Sequence, residues 1–221
     1  MRRAAAVTAV TLALLASIAR SASAQRDTLL LSDRDANAEL MRILSAARDA
    51  GLPVKPILGK VRYGVMAHAT PDSIVAKVRS LVARLAVSKD ALAPDTTAAD
   101  IAYGADALEY GATRHELIAV RQANGEKPAL IPFSVLAQLV ATGVPAKRAA
   151  ATVIDLIKHH ASSQQLAALG TEVNADVANG APANAALDIR LHALTAVLAP
   201  PVSATDLGTV LPAAVIPKKK P

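Results

Sequence analysis

The sequence predicts an all-α fold of about 8–9 helices stacked as antiparallel pairs, in a short α-solenoid-like array or a compact helical bundle. Three observations carry this. A stop–start junction recurs along the chain, apolar residues between junctions keep helical spacing, and no run alternates with the period of a half-buried strand. The composition agrees: hydrophobic residues make up 52% of the chain but aromatics only 2%. A core of Ala, Leu, Val and Ile suits helices in close approach, whereas strands favour aromatic and β-branched residues.

Each junction reads small residue, any residue, then Pro, Ser or Thr. It appears as Gly51-Leu52-Pro53, Ala69-Thr70-Pro71, Gly111-Ala112-Thr113, Gly143-Val144-Pro145, Ala161-Ser162-Ser163 and Gly180-Ala181-Pro182. Gly takes the left-handed conformation that ends one helix, and Pro or a hydroxyl residue starts the next. Successive junctions are 18, 42, 32, 18 and 19 residues apart. The two long steps read as double steps broken near Ala93-Pro94 and Asn124-Gly125, so the module is a helix of about four turns plus a short loop.

In order, Ser32 precedes a helix running to about Ala50, with Leu40, Ile43, Leu44 and Ala47 on its apolar face. Pro53 opens the next module. Thr70 caps a helix begun by Pro71 and carrying Ile74, Val78, Leu81, Val82 and Leu85. Residues 90–97 are expected to form a hinge, and residues 123–132, with Asn124-Gly125 and two prolines, a second loop. Thr97-x-x-Asp100 and Thr113-x-x-Glu116 resemble capping boxes. Pro145 begins a helix with Ala149, Ala150, Val153, Ile154 and Ile157 inward. Leu166, Leu169, Val173 and Val177 keep helical spacing through Gly170, which implies one helix there. Pro182 opens the last helix, ending before Pro200-Pro201. The helix-pair length of roughly 36–38 residues resembles the tetratricopeptide class of solenoid in period alone, since its Trp, Leu-Gly and Tyr signature is missing.

The two ends read differently. Arg2 and Arg3, the apolar run Ala4–Ala19 and Ala22-Ser23-Ala24 have the three parts of a cleaved export signal, leaving Gln25 as the mature N-terminus. The run is shorter than the ~20 residues of a membrane span, and Arg20 closes it. The organisation expected is therefore a signal peptide (1–24), N-terminal helices (25–92), a C-terminal helical array (98–199) and a disordered Pro- and Lys-containing tail (200–221).

The formal charge of +6 suggests nucleic-acid binding until the signal is removed. Loss of Arg2, Arg3 and Arg20 leaves 21 Lys+Arg against 18 Asp+Glu, and Lys218, Lys219 and Lys220 account for that whole excess. Cations elsewhere are scattered singly among acids, the pattern of a solvated surface, so no nucleic-acid partner is expected. Cysteine is absent. That excludes disulfides, thiolate zinc sites, Cys nucleophiles and a lipid anchor on Cys after cleavage, and no stable membrane insertion of the mature chain is expected. Lys218–Lys220 are too few to hold a membrane, at ~1 kcal/mol each near an anionic surface.

No motif points to a metal, a cofactor or a catalytic residue. His159-His160 are adjacent on a helix, hence ~100° apart, and cannot serve one ion together. Asp155, four residues before His159, makes an acid–imidazole pair at a helix C-terminus, which the helix dipole explains. His115-Glu116 lacks the second His of a metalloprotease helix, and His68 and His192 are isolated. Asp33/Asp35 and Asp95/Asp100 sit at helix starts and loops, where acids are ordinary. G-x-S-x-G, S-x-x-K and Gly-rich phosphate loops do not occur in the mature chain.

One stripe stands out. Tyr103, Asp106 and Tyr110 fall at i, i+3 and i+7, so two of the four aromatics share a helix face with an acid, and Arg114 and His115 follow the Gly111 turn. Tyrosine at a surface offers large contact area at small entropic cost, which marks the stripe as the candidate binding face. The competing reading packs both rings against a neighbouring helix. The function expected is that of an exported, non-catalytic helical protein with a protein or cell-envelope partner. The alternatives are a hydrolase or transferase whose site is assembled from distant residues, and a periplasmic chaperone-like protein with an apolar groove between helices.

Overall fold

The computed structural model describes residues 31–198, so the stretches expected to form an export signal (1–24) and a disordered tail (200–221) lie outside the described residues. Among those described, the chain forms nine helices and no strand. They are α1 (Arg34–Asp49), α2 (Val54–Met66), α3 (Pro71–Leu92), α4 (Ala98–Glu109), α5 (Arg114–Asn124), α6 (Leu130–Ala141), α7 (Ala146–Lys158), α8 (Ser163–Ala178) and α9 (Ala183–Leu198). No described helix is long and apolar enough to cross a membrane.

The six junctions share one backbone device. After α1, the N–H of Leu52 donates to the carbonyl of Ala47 and that of Gly51 to Arg48, both at 2.8 Å. This paired closure satisfies carbonyls the helix end would otherwise leave open, and it needs a left-handed residue just past the helix. Gly51, Gly111, Gly143 and Gly180 supply it with φ of 63, 110, 97 and 97°. At the other two junctions the residue is not the expected Ala69 or Ala161 but the histidine before it, His68 at φ 53° and His160 at φ 59°. A side chain there crowds its own backbone, at about 1–2 kcal/mol, which glycine escapes. His160→Gly is therefore expected to raise unfolding free energy by about 0.5–1 kcal/mol, after allowing for the looser unfolded chain. Glycine at His159, whose φ of −85° is ordinary, should bring no gain in the same urea titration.

The starts are equally local. Asp33, rather than Ser32, caps α1, its carboxylate accepting from the N–H of Ala36 at 2.7 Å. Thr97/Asp100 and Thr113/Glu116 close as reciprocal capping boxes, and Ser162/Gln165 makes a third. The two loops are shorter than expected. Ala91 and Leu92 are core residues in the last turn of α3, so only residues 93–97 connect it to α4. Residues 130–132 already belong to α6, where Pro132 sits in the first turn and its missing N–H costs nothing.

Beyond sequential neighbours, helices pack two apart. α4, α6 and α8 form one row, α3, α5 and α7 the other, and α1 and α2 both lie on the long α3. Helix pairs thus stack along the chain, each new pair burying the face left by the last. Two apolar clusters result, one from Leu31 to Ala105 and one from Ala91 to Leu187, and both α3 and α4 contribute to each. α6 is buried on nearly every side, as its uncharged sequence requires. In α7 the fully buried residue of the last turn is Leu156; Ile154 and Ile157, expected inward, are half-buried at the cluster's edge. Gly170 stays inside α8 where the helix lies close on α6: a Cβ there would meet the movable amide end of Gln138 at 2.3 Å and Val135 Cγ1 at an ordinary 3.6 Å. Arg190 grips Asp176 with two parallel hydrogen bonds of 2.7 and 2.8 Å, tying α9 to α8, and that fork holds the Asp176 carboxyl below its usual range.

Candidate functional site

The N-terminal half brings opposite charges together. α2 carries Lys55, Lys60 and Arg62 and no acid; α4 carries Asp100, Asp106 and Glu109 and no base. Both helices pack on α3. Glu109 receives Lys60 Nζ at 3.3 Å and Arg84 Nη2 at 3.0 Å, so one carboxylate ties α2, α3 and α4 together. Arg84 also donates to Ser80 Oγ at 2.7 Å. The pairs are partly hydrated and contribute modestly to stability; their effect is to fix how α2 and α4 face each other.

The Tyr103–Asp106–Tyr110 stripe lies beside this bridge. Tyr103 is 37% exposed and Tyr110 54%, so neither ring is spent on the core. Asp106 is half-buried, and its carboxyl is held above the ordinary range by burial first and by Glu109 second, with Lys60 and Arg84 pulling it back. The folded protein therefore keeps this proton to higher pH than the unfolded chain does, and stability declines as pH rises from the ordinary carboxylate value through the raised one. Asp106→Asn removes that loss. The variant is expected to melt above the parent at neutral pH, with the gap closing near pH 3, below the unfolded value. Calorimetric scans at the two pH values check it.

Arg114 and His115 stand in the first turn of α5, both exposed. The Arg114 guanidinium pairs with Asp90 at the end of α3, at 2.9 Å, and not with Asp106. Sequence reasoning missed Tyr63, which is 70% exposed on α2, one turn beyond Lys60. All three tyrosines of the chain are therefore on the surface, while its single phenylalanine, Phe133, is fully buried. The excess of cations on residues 54–66 was the available signal for α2; the residues facing them on α4 are set by tertiary structure.

The remaining candidates keep local roles. His68 and His160 end helices, and His159 caps α7 with Nδ1 2.9 Å from the Asp155 carbonyl and 3.6 Å from its carboxylate. Asp33 and Asp100 are capping groups, and Asp95 lies in the α3–α4 loop with φ 59°. All five histidines are exposed. Among the described residues, no group of three or more His, Asp and Glu side chains is placed to hold a metal. No protein-family model, curated protein or solved structure matches the chain.

Proposed function

We propose that this chain is an exported, non-catalytic helical protein that binds a protein or cell-envelope partner through the face carrying Tyr63, Tyr103, Asp106 and Tyr110. The observation that carries the reading is the placement of the tyrosines. A core poor in aromatics would gain by burying them, yet all three are exposed, Tyr63 one turn beyond Lys60 and Tyr110 directly after Glu109, and rigid rings with polar tips provide contact area. Arg114 and His115 border the same region on α5, where they would form a polar rim. Export rests on the arginines, apolar run and A-x-A site of residues 1–24.

Tyr103→Ala and Tyr110→Ala are each expected to weaken partner binding by ~1–3 kcal/mol while leaving the melting temperature nearly unchanged. Capture from the envelope fraction of the source cells, quantified for parent and variants beside thermal melts, tests this. A large drop in both melting temperatures would make the rings structural and remove the face from consideration. The mass of the exported protein reports on its compartment, because a chain beginning at Gln25 has passed an export signal peptidase and one retaining Met1 has not.

A further inference from the structure

We propose that the groove between α2 and the start of α3 binds an extended acidic peptide segment, placing one carboxylate between Lys60 and Lys77 and an apolar side chain on the groove floor. This deepens the reading above by naming a partner class for the same half of the molecule, and it rests on that reading.

The groove has a volume of about 300 Å³ and is lined by Lys60, Tyr63, Gly64, Ser73, Ile74 and Lys77 together with two alanines. That is the lower end of the range for small-molecule sites, roughly 300–1,000 Å³. Its floor exists because residue 64 is glycine. A Cβ there would stand 2.6 Å from Ile74 Cγ1, so α2 and α3 approach more closely than any other residue would permit. The result is an apolar base of Ile74 and glycine backbone, walled by the exposed Tyr63 ring.

Every ionised side chain lining the groove is a cation. Lys60 lends one of its donors to Glu109 at a loose 3.3 Å and keeps others for a ligand. Lys77 makes no ion pair among the described residues, and the acid nearest to it along α3, Asp72, is not among the residues lining the groove. Lys55 and Arg62 add to the cations of α2, which carries no acid, and against them stand Asp72 on α3 and the Asp106 and Glu109 carboxyls beside Lys60, so the excess of positive charge is confined to the groove lining itself. A carboxylate is the complementary group. A peptide fits better than a membrane because the cations flank a concavity with an apolar floor. Lipid headgroups need neither the concavity nor the floor.

The test uses the chain purified after export and a fluorescein-labelled peptide alternating Glu and Leu, read by anisotropy. The Gln-for-Glu isostere and vesicles of phosphatidylglycerol are the comparison probes. The Glu–Leu peptide should bind, its affinity should fall with added salt, and the isostere should bind about tenfold more weakly or not at all. Lys77→Glu should cost about tenfold or more, and Ser73→Trp, which fills the groove from an exposed position, should abolish binding. Both variants should melt like the parent, since neither residue is in the core. Equal binding of peptide and isostere, or no effect of Lys77→Glu, overturns the proposal. So does Lys77-dependent binding to the vesicles with none to the peptide, which would assign the groove to a membrane surface. Tyr103→Ala separates the two readings. If envelope capture still depends on Tyr103 while the peptide fails, the groove is wrong and the tyrosine face stands. If the peptide binds at Lys77 while capture ignores Tyr103, the face is wrong.

Discussion

Val153→Asp is expected to leave the protein without a cooperative unfolding transition at neutral pH. Val153 is fully buried in the middle of α7, in the same cluster as Leu117, Val120, Phe133 and Leu136. A carboxylate there has no water and no cation within the apolar cluster, so it must stay unpaired or take up a proton against neutral pH. Either course costs several kcal/mol, above the usual range for single substitutions, against a total stability of about 5–15 kcal/mol for a domain. Val153→Ala is the control for lost volume. It removes two buried carbons and should cost only about 2 kcal/mol, leaving a shifted but intact transition in guanidinium. Equal effects of the two variants would show that volume, and not charge, governs the site.

Helix boundaries were legible because the physics that sets them is local. The stop after α1 needs only Ala47 to Leu52, and the starts of α4 and α5 need only Thr97–Asp100 and Thr113–Glu116. What escaped a local reading was any choice with two local solutions. His68 and His160 adopt a conformation that histidine tolerates but does not announce. Asp90–Leu92 looked like loop beside Pro94, yet burial of Ala91 and Leu92 carries α3 a further turn. Gly64, Gly104 and Gly170 have no visible purpose inside helices until their neighbours arrive. At Gly104 a Cβ would stand 2.3 Å from Ser88 Oγ and 3.3 Å from Leu92 Cδ1, so this glycine sets the distance between α3 and α4.

The candidate face divides in the same way. The stripe on α4 was readable because residues 103, 106 and 110 share a helix side whatever the fold. Its environment was not. Lys60 and Glu109 are 49 positions apart and meet only because α2 and α4 both pack on α3. The charge asymmetry of residues 54–66 against 98–109 was present in the sequence, but complementary helices need not be neighbours, and pairing them takes the topology.

Phe133→Ala is the other substitution expected to have a large effect, and its size bears on why the chain has so few aromatics. Phe133 is the largest fully buried side chain, on α6, which packs against α4 and α8 in its own row and α5 and α7 in the other. Around it the cluster is built from Ala, Val and Leu, including Ala107, Ala129, Ala137 and Ala149. Short side chains have few rotamers with which to reach into a void, so a cavity left by the ring should persist instead of collapsing. The expected cost is therefore about 3–5 kcal/mol, with the upper part reflecting a rigid surround. Phe133→Leu keeps most of the volume and should cost about half as much or less. Urea titrations of the two variants measure the difference. If Phe133→Ala lost only about 1 kcal/mol, α6 would have to shift to fill the space, and the row α4–α6–α8 would be more pliable than the close approach of α8 to α6 at Gly170 indicates.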